Sequence, residues 1–272
     1  MAKIHADYHL HTLFSPDGKN SPEEMCRAAL EKGLTEIAVT DHYEFYQAGV
    51  FRDKPFTIEH MRAQQRELER CRELFAGKLT IRRGVEIGQP QCNPEAAREL
   101  MEAVPFDYVI GSVHKLSDLD LGLTQYTEEN IPGLAGRNLS MLYELADRED
   151  FDCMGHIDII KRYAARQGMR VDLLDWREQL EPILRRLIER GKGLEVNTSG
   201  LRQAARETLP SLAVLKLYRS LGGEILTAGS DAHCTADISA GFDEALAVIR
   251  EAGFRYLARY EDRKPHFVPL DG

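Results

Sequence analysis

At 272 residues, 43% of them hydrophobic, the chain is long enough to bury the core of one large α/β barrel or of two small domains, and no apolar run reaches the ~18 residues of a membrane span. A formal net charge of −9 argues against non-specific nucleic-acid binding, which relies on clustered Lys and Arg, while a small anionic substrate stays open because metal ions would offset negative charge locally. The N-terminus (Met1, Ala2, Lys3, Ile4, His5) lacks the basic and apolar regions of a signal peptide, and the five cysteines, Cys26, Cys71, Cys92, Cys153 and Cys234, contain no CxxC pair, so a soluble cytoplasmic protein with free thiols is expected.

Short apolar runs alternate with longer amphipathic stretches, the pattern of βα units and a mostly parallel sheet. Strands are expected over residues 3–8, 34–40, 79–86, 106–112, 152–156, 193–197 and 224–228, with a weaker eighth over 255–259. Between them, Ser21 followed by Pro22 marks a helix start, and further helices are expected over 172–190 and 209–221. Connections are short, and no linker, repeat or low-complexity segment interrupts them, which favours a single (β/α) barrel over residues 1–272.

The ionisable residues fall in register with these strands. His9 and His11 follow the first, Asp41 and His42 the second, Glu86 ends the third, His114 follows the fourth, His156 ends the fifth, Asn197 the sixth, and Asp231 and His233 follow the seventh. In a parallel barrel the C-terminal strand ends share one mouth, where active sites form. Six of the nine histidines sit at such positions. Residues one apart on an extended segment project to the same side, so His9 with His11, and Asp231 with His233, can reach a common ion; Glu86 can bridge two ions through its two oxygens. His5, His60 and His266 lie off the pattern and read as surface or helix residues, Trp176 reads as helix packing, and the charges of 62–72 read as a solvated helix face.

The run Tyr8-His9-Leu10-His11-Thr12 with Ser15-Pro16-Asp17-Gly18 resembles the opening motif of the PHP (polymerase and histidinol phosphatase) superfamily. Thr40-Asp41-His42, Gly84-Val85-Glu86-Ile87-Gly88, Gly111-Ser112-Val113-His114, Gly155-His156-Ile157-Asp158 and Gly229-Ser230-Asp231-Ala232-His233 resemble its later motifs in order, over about residues 3–235. Asp17, where some relatives carry His, and Asn197-Thr198-Ser199-Gly200-Leu201-Arg202 look most like the histidinol-phosphate phosphatase branch. The resemblance implies a distorted (β/α)7 barrel with three metal ions: His9, His11, Glu86 and Asp231 on the first, Glu86, His114 and His156 on the second, Asp17, His42 and His233 on the third. Mixed nitrogen and oxygen ligands suit Zn, Mn or Fe.

The expected activity is hydrolysis of a small phosphomonoester, most specifically L-histidinol phosphate to L-histidinol, by a hydroxide that metals make available at neutral pH. Asp17 or His233 is the candidate to protonate the departing alkoxide. Ser15, Ser112 and Ser230 sit in Gly- or Pro-flanked turns and read as turn residues rather than nucleophiles. Arg162 and Arg202 are the expected phosphate binders, with Lys115 a weaker candidate, and Asp41 and Asp158 are expected to orient neighbouring ligands. For the amine end of the substrate, acidic residues near Asp158 and in 43–46, including Glu44, are candidates. Another small phosphate ester, or a nucleic-acid phosphodiesterase or exonuclease, are the competing activities; the second would call for a basic groove or an extra domain. A decayed barrel with a binding role would show lost ligands, and every ligand position here is filled.

Overall fold

The computed structural model of the chain describes residues 3–45, 56–117 and 119–270, and within them strand and helix alternate as the sequence pattern requires. Along the chain come β1 (Ala6–Leu10), α1 (Pro22–Glu31), β2 (Glu36–Val39), β3 (His42–Glu44), α2 (Ile58–Leu74), β4 (Thr80–Gly88), α3 (Pro94–Ala103) and β5 (Tyr108–Ser112). A small ribbon, β6 (Lys115–Leu116) and β7 (Leu119–Asp120), precedes α4 (Ile131–Ala146), β8 (Cys153–Met154), α5 (Ile159–Ala165), α6 (Arg177–Glu189) and β9 (Gly193–Asn197). Then follow α7 (Leu212–Ser220), β10 (Leu226–Gly229), α8 (Phe242–Glu251) and the hairpin β11 (Tyr256–Glu261) and β12 (Lys264–Pro269). Among the described residues no helix is long and apolar enough to cross a membrane.

Seven strands pair in the order β1-β2-β4-β5-β8-β9-β10, every pair parallel, and β3 adds to β4 beyond the end of β2. Past the last strand the chain folds back on the first: Asp231 N donates to His9 O at 2.7 Å and His11 N to Ala232 O at 2.8 Å. The sheet is therefore a nearly closed, distorted seven-stranded barrel, as expected, with its helices outside. Local chemistry agrees with the element starts. Ser21 and Glu24 form a reciprocal capping box around Pro22 at the start of α1, and Thr57 accepts from His60 N at the start of α2.

Three expectations are corrected. The helix expected over 209–221 begins only at Leu212, because Pro210 has no N–H and Ser211 takes the capping position. The helix expected over 172–190 is broken by a short turn at Leu173–Trp176. Residues 255–259 do form a strand, but it is antiparallel to β12 and outside the barrel path. That hairpin closes the foot of the barrel instead. Ala258 and Tyr260 pack on Ala6, Tyr8, Ala38, Tyr108, Ile110 and Cys153 in the lower interior, and Tyr260 N donates to Tyr8 Oη at 2.7 Å.

A single irregularity in β1 sets up the opposite end. Asp7 pairs with Ile37 but Leu10 with Val39, so β1 carries one extra residue between them. Alternation puts Ala6 and Tyr8 inside; beyond the extra residue the faces exchange, Leu10 joins the outer core, and His9 and His11 turn into the mouth. Tyr8 thus ends the packed floor, and His9 begins the polar layer above it.

Candidate metal centre

Glu86, on the inner face of long β4, is fully buried at the middle of this layer. Its Oε2 lies 3.3 Å from His9 Nε2, 3.5 Å from His11 Nε2 and 2.9 Å from His42 Nδ1. Its Oε1 lies 3.1 Å from His114 Nε2 and 2.9 Å from His156 Nε2, and accepts from Ser112 Oγ at 2.6 Å. Five imidazoles from β1, β3 and the ends of β5 and β8 therefore converge on the two oxygens of one carboxylate. Asp231 joins on the far side, with Oδ1 3.8 Å from His9 Nε2 and 3.5 Å from His11 Nε2. Its backbone is in the left-handed region (φ 54°), which Asp tolerates and which aims it inward from the turn after β10. At the lip, Asp17 reaches His233 Nε2 at 3.1 Å and His42 Nε2 at 3.7 Å, while His11 stacks between the rings of His42 and His233, each 4.2 Å away.

The hydrogen bonds behind these rings settle which nitrogen faces the centre. Carboxylates only accept, so Glu195 Oε1, 2.6 Å from His9 Nδ1, and Glu44 Oε1, 2.6 Å from His114 Nδ1, place the protons on Nδ1. Ser15 Oγ gives its proton to Asp41 Oδ1 at 2.8 Å, so its oxygen accepts from His42 N and from His11 Nδ1, both at 3.0 Å. The Asp231 carbonyl does the same for His233 Nδ1 at 3.0 Å. Four imidazoles thus present Nε2 lone pairs inward, and His9 Nε2 faces His11 Nε2 across 3.1 Å and His114 Nε2 faces His156 Nε2 across 3.5 Å. Lone pairs so opposed repel unless a proton or a cation lies between them. His9, His11 and Asp231, His9, Glu86 and His156, and His11, His42 and His233 each bring three donor atoms within 4.8 Å of one another.

Electrostatics point the same way. Burial disfavours a charged His11, and the neighbouring His233 and His42 add to this, holding it well below the usual imidazole range and hence neutral, as a ligand must be. Burial also acts against charge on His9, yet Glu195, Glu86 and Asp231 together drive its pKa well above the usual range. His114 responds likewise to Glu44 and Glu86, rising to about 10 against its burial. The carboxylates of the mouth therefore demand positive charge, met by imidazolium protons when no metal is bound and by divalent cations displacing those protons when one is. The donor set fits transition-metal ions.

Arg162 and Arg202 both line the cavity of about 510 Å³ above this layer, together with Asp17, His42, His114 and His233. Arg162 Nη1 donates to Asp231 Oδ2 at 2.9 Å and to Ser199 Oγ at 2.8 Å, while Arg202 donates to the carbonyls of Ser230 at 2.7 Å and Asp231 at 2.8 Å. Lys115 lines the same cavity but is buried, with Nζ 3.0 Å from Glu44 Oε2. Glu44 is buried as well: burial pushes its carboxyl up, but His114 and Lys115 bring it down to about 2, so it serves His114 and Lys115 and offers nothing to a substrate amine. Of the segment 43–46, Tyr46 lies outside the described residues. Asp41 orients His11 indirectly, through Ser15, and also accepts from Thr12 N, Thr12 Oγ1 and Gln64 Nε2. Asp158 touches none of the clustered side chains and pairs with Lys161 at 2.9 Å. Asn197 donates to Glu195 Oε2 at 3.2 Å and accepts from Ser199, supporting the layer from behind. His60 sits on α2 and reaches Phe14 O at 2.8 Å.

Sequence reasoning passed over Glu195, Gln89 and Asp7. A carboxylate in the middle of the apolar run Gly193–Asn197 must be paired when buried, and that was the available signal for Glu195. Gly229 makes room for it: a Cβ there would collide with Glu195 Oε1 and His9 Cβ. Gln89 bonds Glu44 and the backbone of His114, and Asp7 accepts from Ser230 N and Oγ and from Ser239 N, fixing the turn that carries Asp231.

A parallel barrel whose C-terminal mouth gathers imidazoles around buried carboxylates defines a metal-binding barrel enzyme. The family model described as PHP domain matches residues 7–199, and the chain belongs to the PHP family. It is similar to the histidinol-phosphatase of Lactococcus lactis subsp. lactis, 30% identical over 261 residues, with 95% of each chain covered. It is also similar to the probable histidinol-phosphatase of Thermotoga maritima, 28% identical with 93% of this chain and 94% of the relative covered. Among solved structures, the histidinol phosphate phosphatase of Lactococcus lactis in complex with zinc, L-histidinol and phosphate superposes with a TM-score of 0.82, at 27% identity over 96% of this chain and 98% of that one.

Proposed function

We propose that this chain hydrolyses L-histidinol phosphate to L-histidinol and phosphate in histidine synthesis, with about three divalent ions at the mouth of the barrel. The observation that carries the reading is the convergence of five imidazoles on the two oxygens of Glu86, in a chain that parallels almost end to end a structure holding zinc, histidinol and phosphate. His9, His11, Glu86 and Asp231 would hold the first ion, Glu86, His114 and His156 the second, and Asp17, His42 and His233 the third. When bound, such ions make a water nucleophilic near neutral pH and offset charge on phosphate oxygens.

The side chains supply the rest. Arg202 occupies two of its five N–H donors on the Ser230 and Asp231 carbonyls and turns Nε to Asp237 Oδ2 at 3.4 Å, so its two remaining Nη hydrogens, in the lining of the cavity, suit a phosphate oxygen. Arg162 holds Asp231 Oδ2 and thereby aims Oδ1 at His9 and His11 while adding positive charge beside the phosphate. Asp17 and His233 stand 3.1 Å apart at the lip, beside the point where a departing alkoxide must take up a proton; His233 can give one from Nε2 only while it is off the third ion, because Nδ1 is spent on the Asp231 carbonyl. No step requires a serine nucleophile: Ser15 and Ser230 are committed to Asp41 and Asp7, and Ser112 to Glu86.

Phosphate release from L-histidinol phosphate, measured before and after chelator treatment and after restoring zinc, tests this directly. Release that stops with chelation and returns with zinc is expected. Full activity in protein shown by elemental analysis to be metal-free would refute it.

A further inference from the structure

Two buried carboxylates stand behind the cluster, one on each side of Glu86, and they differ in how they are neutralised. Glu44 accepts from His114 Nδ1 at 2.6 Å, but its other oxygen lies 3.0 Å from Lys115 Nζ and 2.9 Å from Gln89 Nε2, so its charge is met by a buried ammonium. Glu195 accepts from His9 Nδ1 at 2.6 Å, from His156 N at 2.8 Å and from Asn197 Nδ2 at 3.2 Å. Among the described residues it meets no Lys or Arg, although it is only 1% exposed. Such an anion is tolerable only if the imidazole in front of it passes the charge to a cation. Glu195 also reaches across the centre: one oxygen sets His9, on Glu86 Oε2, and the other holds the backbone of His156, whose ring is on Glu86 Oε1.

Resting on the metal-binding reading above, we infer that Glu195 is a positioning residue that fixes His9 with Nε2 inward and gives the His9–His11–Asp231 cluster a stronger hold on its ion than the His114–His156 cluster, whose orienting carboxylate Glu44 is neutralised by Lys115. The two clusters load in order. The ion at His9 arrives first and leaves last.

Zinc titration of metal-depleted protein by calorimetry, with the melting temperature of each metal-free variant as a folding control, separates the possibilities. The native chain should show zinc sites of unequal affinity. Glu195→Gln keeps the shape and an acceptor for His9 Nδ1 but removes the charge and the second acceptor, which holds His156 N, and should weaken the tightest site by about 10- to 100-fold and the weaker ones by clearly less. Lys115→Met leaves Glu44 uncompensated and should tighten a weaker site by a similar factor, a gain that structural damage does not produce. As a second readout, the zinc concentration giving half-maximal phosphatase activity should rise in Glu195→Gln, with kcat recovered at saturating zinc. Unchanged affinities in Glu195→Gln, equal loss at every site, or weaker binding throughout in Lys115→Met would overturn the inference with the metal-binding reading intact. A native chain that takes up no zinc would overturn both.

Discussion

Replacing Glu86 by Gln removes a single negative charge and no volume, at the point where all the clusters meet. Its Oε2 serves His9, His11 and His42, and its Oε1 serves His114 and His156, so in the proposed site its charge would be shared by at least two ions. A pair of unit charges 4 Å apart at an effective dielectric of 20 interacts with about 4 kcal/mol. Each ~1.4 kcal/mol is a factor of ten, so zinc affinity at these clusters should fall by roughly 10²- to 10³-fold. The fold should survive, because Ser112 Oγ, 2.6 Å from Oε1, can donate to an amide oxygen as to a carboxylate. Elemental analysis after dialysis, paired with kcat/KM on histidinol phosphate, reads the outcome: metal content well below that of the native chain and activity reduced by at least about 10²-fold, with an unchanged circular dichroism spectrum. A variant with native zinc content and native turnover would refute the bridging role and with it the charge arithmetic.

Arg202→Ala should raise KM for phosphate esters more than it lowers zinc content, since Arg202 touches Asp231 only through backbone carbonyls; equal loss of both, in steady-state kinetics alongside elemental analysis, would assign it to the metal layer. Gly229→Ala should depress both stability and zinc binding, because the added methyl collides with His9 Cβ and Glu195 Oε1; a variant melting and binding zinc like the native chain would contradict the close approach. Asp107 lies under the barrel, and although burial raises its carboxyl, Arg83 and Arg72 bring it below the usual carboxylate range. A depressed folded-state pKa contributes stability above the unfolded value of about 3.9 that is lost as pH falls through the folded one, so the melting-temperature deficit of Asp107→Asn should be full near neutrality and shrink below about pH 4. A deficit independent of pH would show that hydrogen bonding, not charge, does the work.

The barrel was readable because its strands are buried on both faces and so appear as apolar runs, with ligand residues placed at their ends where burial gives way to the mouth. Every residue named as a candidate ligand lies in that mouth. What the pattern could not carry is local and short. The three residues of β3 and the two-residue strands of β6 and β7 are too brief to show a period, and the extra residue in β1 leaves no mark in composition although it alone turns His9 and His11 inward. The run at 255–259 has strand composition, but whether such a run joins a barrel or plugs it is decided by Tyr260 meeting Tyr8, a contact 252 residues apart in sequence. Glu195 was passed over, and Glu44 was assigned to the substrate's amine end, for the same kind of reason: a buried carboxylate is recognisable only by its partners, and theirs come from β1 and from the turn after β5. Arg162 shows the converse case, a residue whose location was foreseen but whose guanidinium proves to be engaged by Asp231.

The central claim joins a metal layer to one substrate, and kcat/KM across a panel of phosphate esters tests it most directly. On zinc-loaded protein, L-histidinol phosphate should exceed sugar phosphates, nucleotides and phenyl phosphate by at least an order of magnitude, and phosphodiesters should be poor, because the ~510 Å³ cavity is sized for a small monoester whose terminal phosphate oxygens can meet the metal layer and the lining arginines together. A nucleotide, a sugar phosphate or a diester turned over far more efficiently than L-histidinol phosphate would contradict the account.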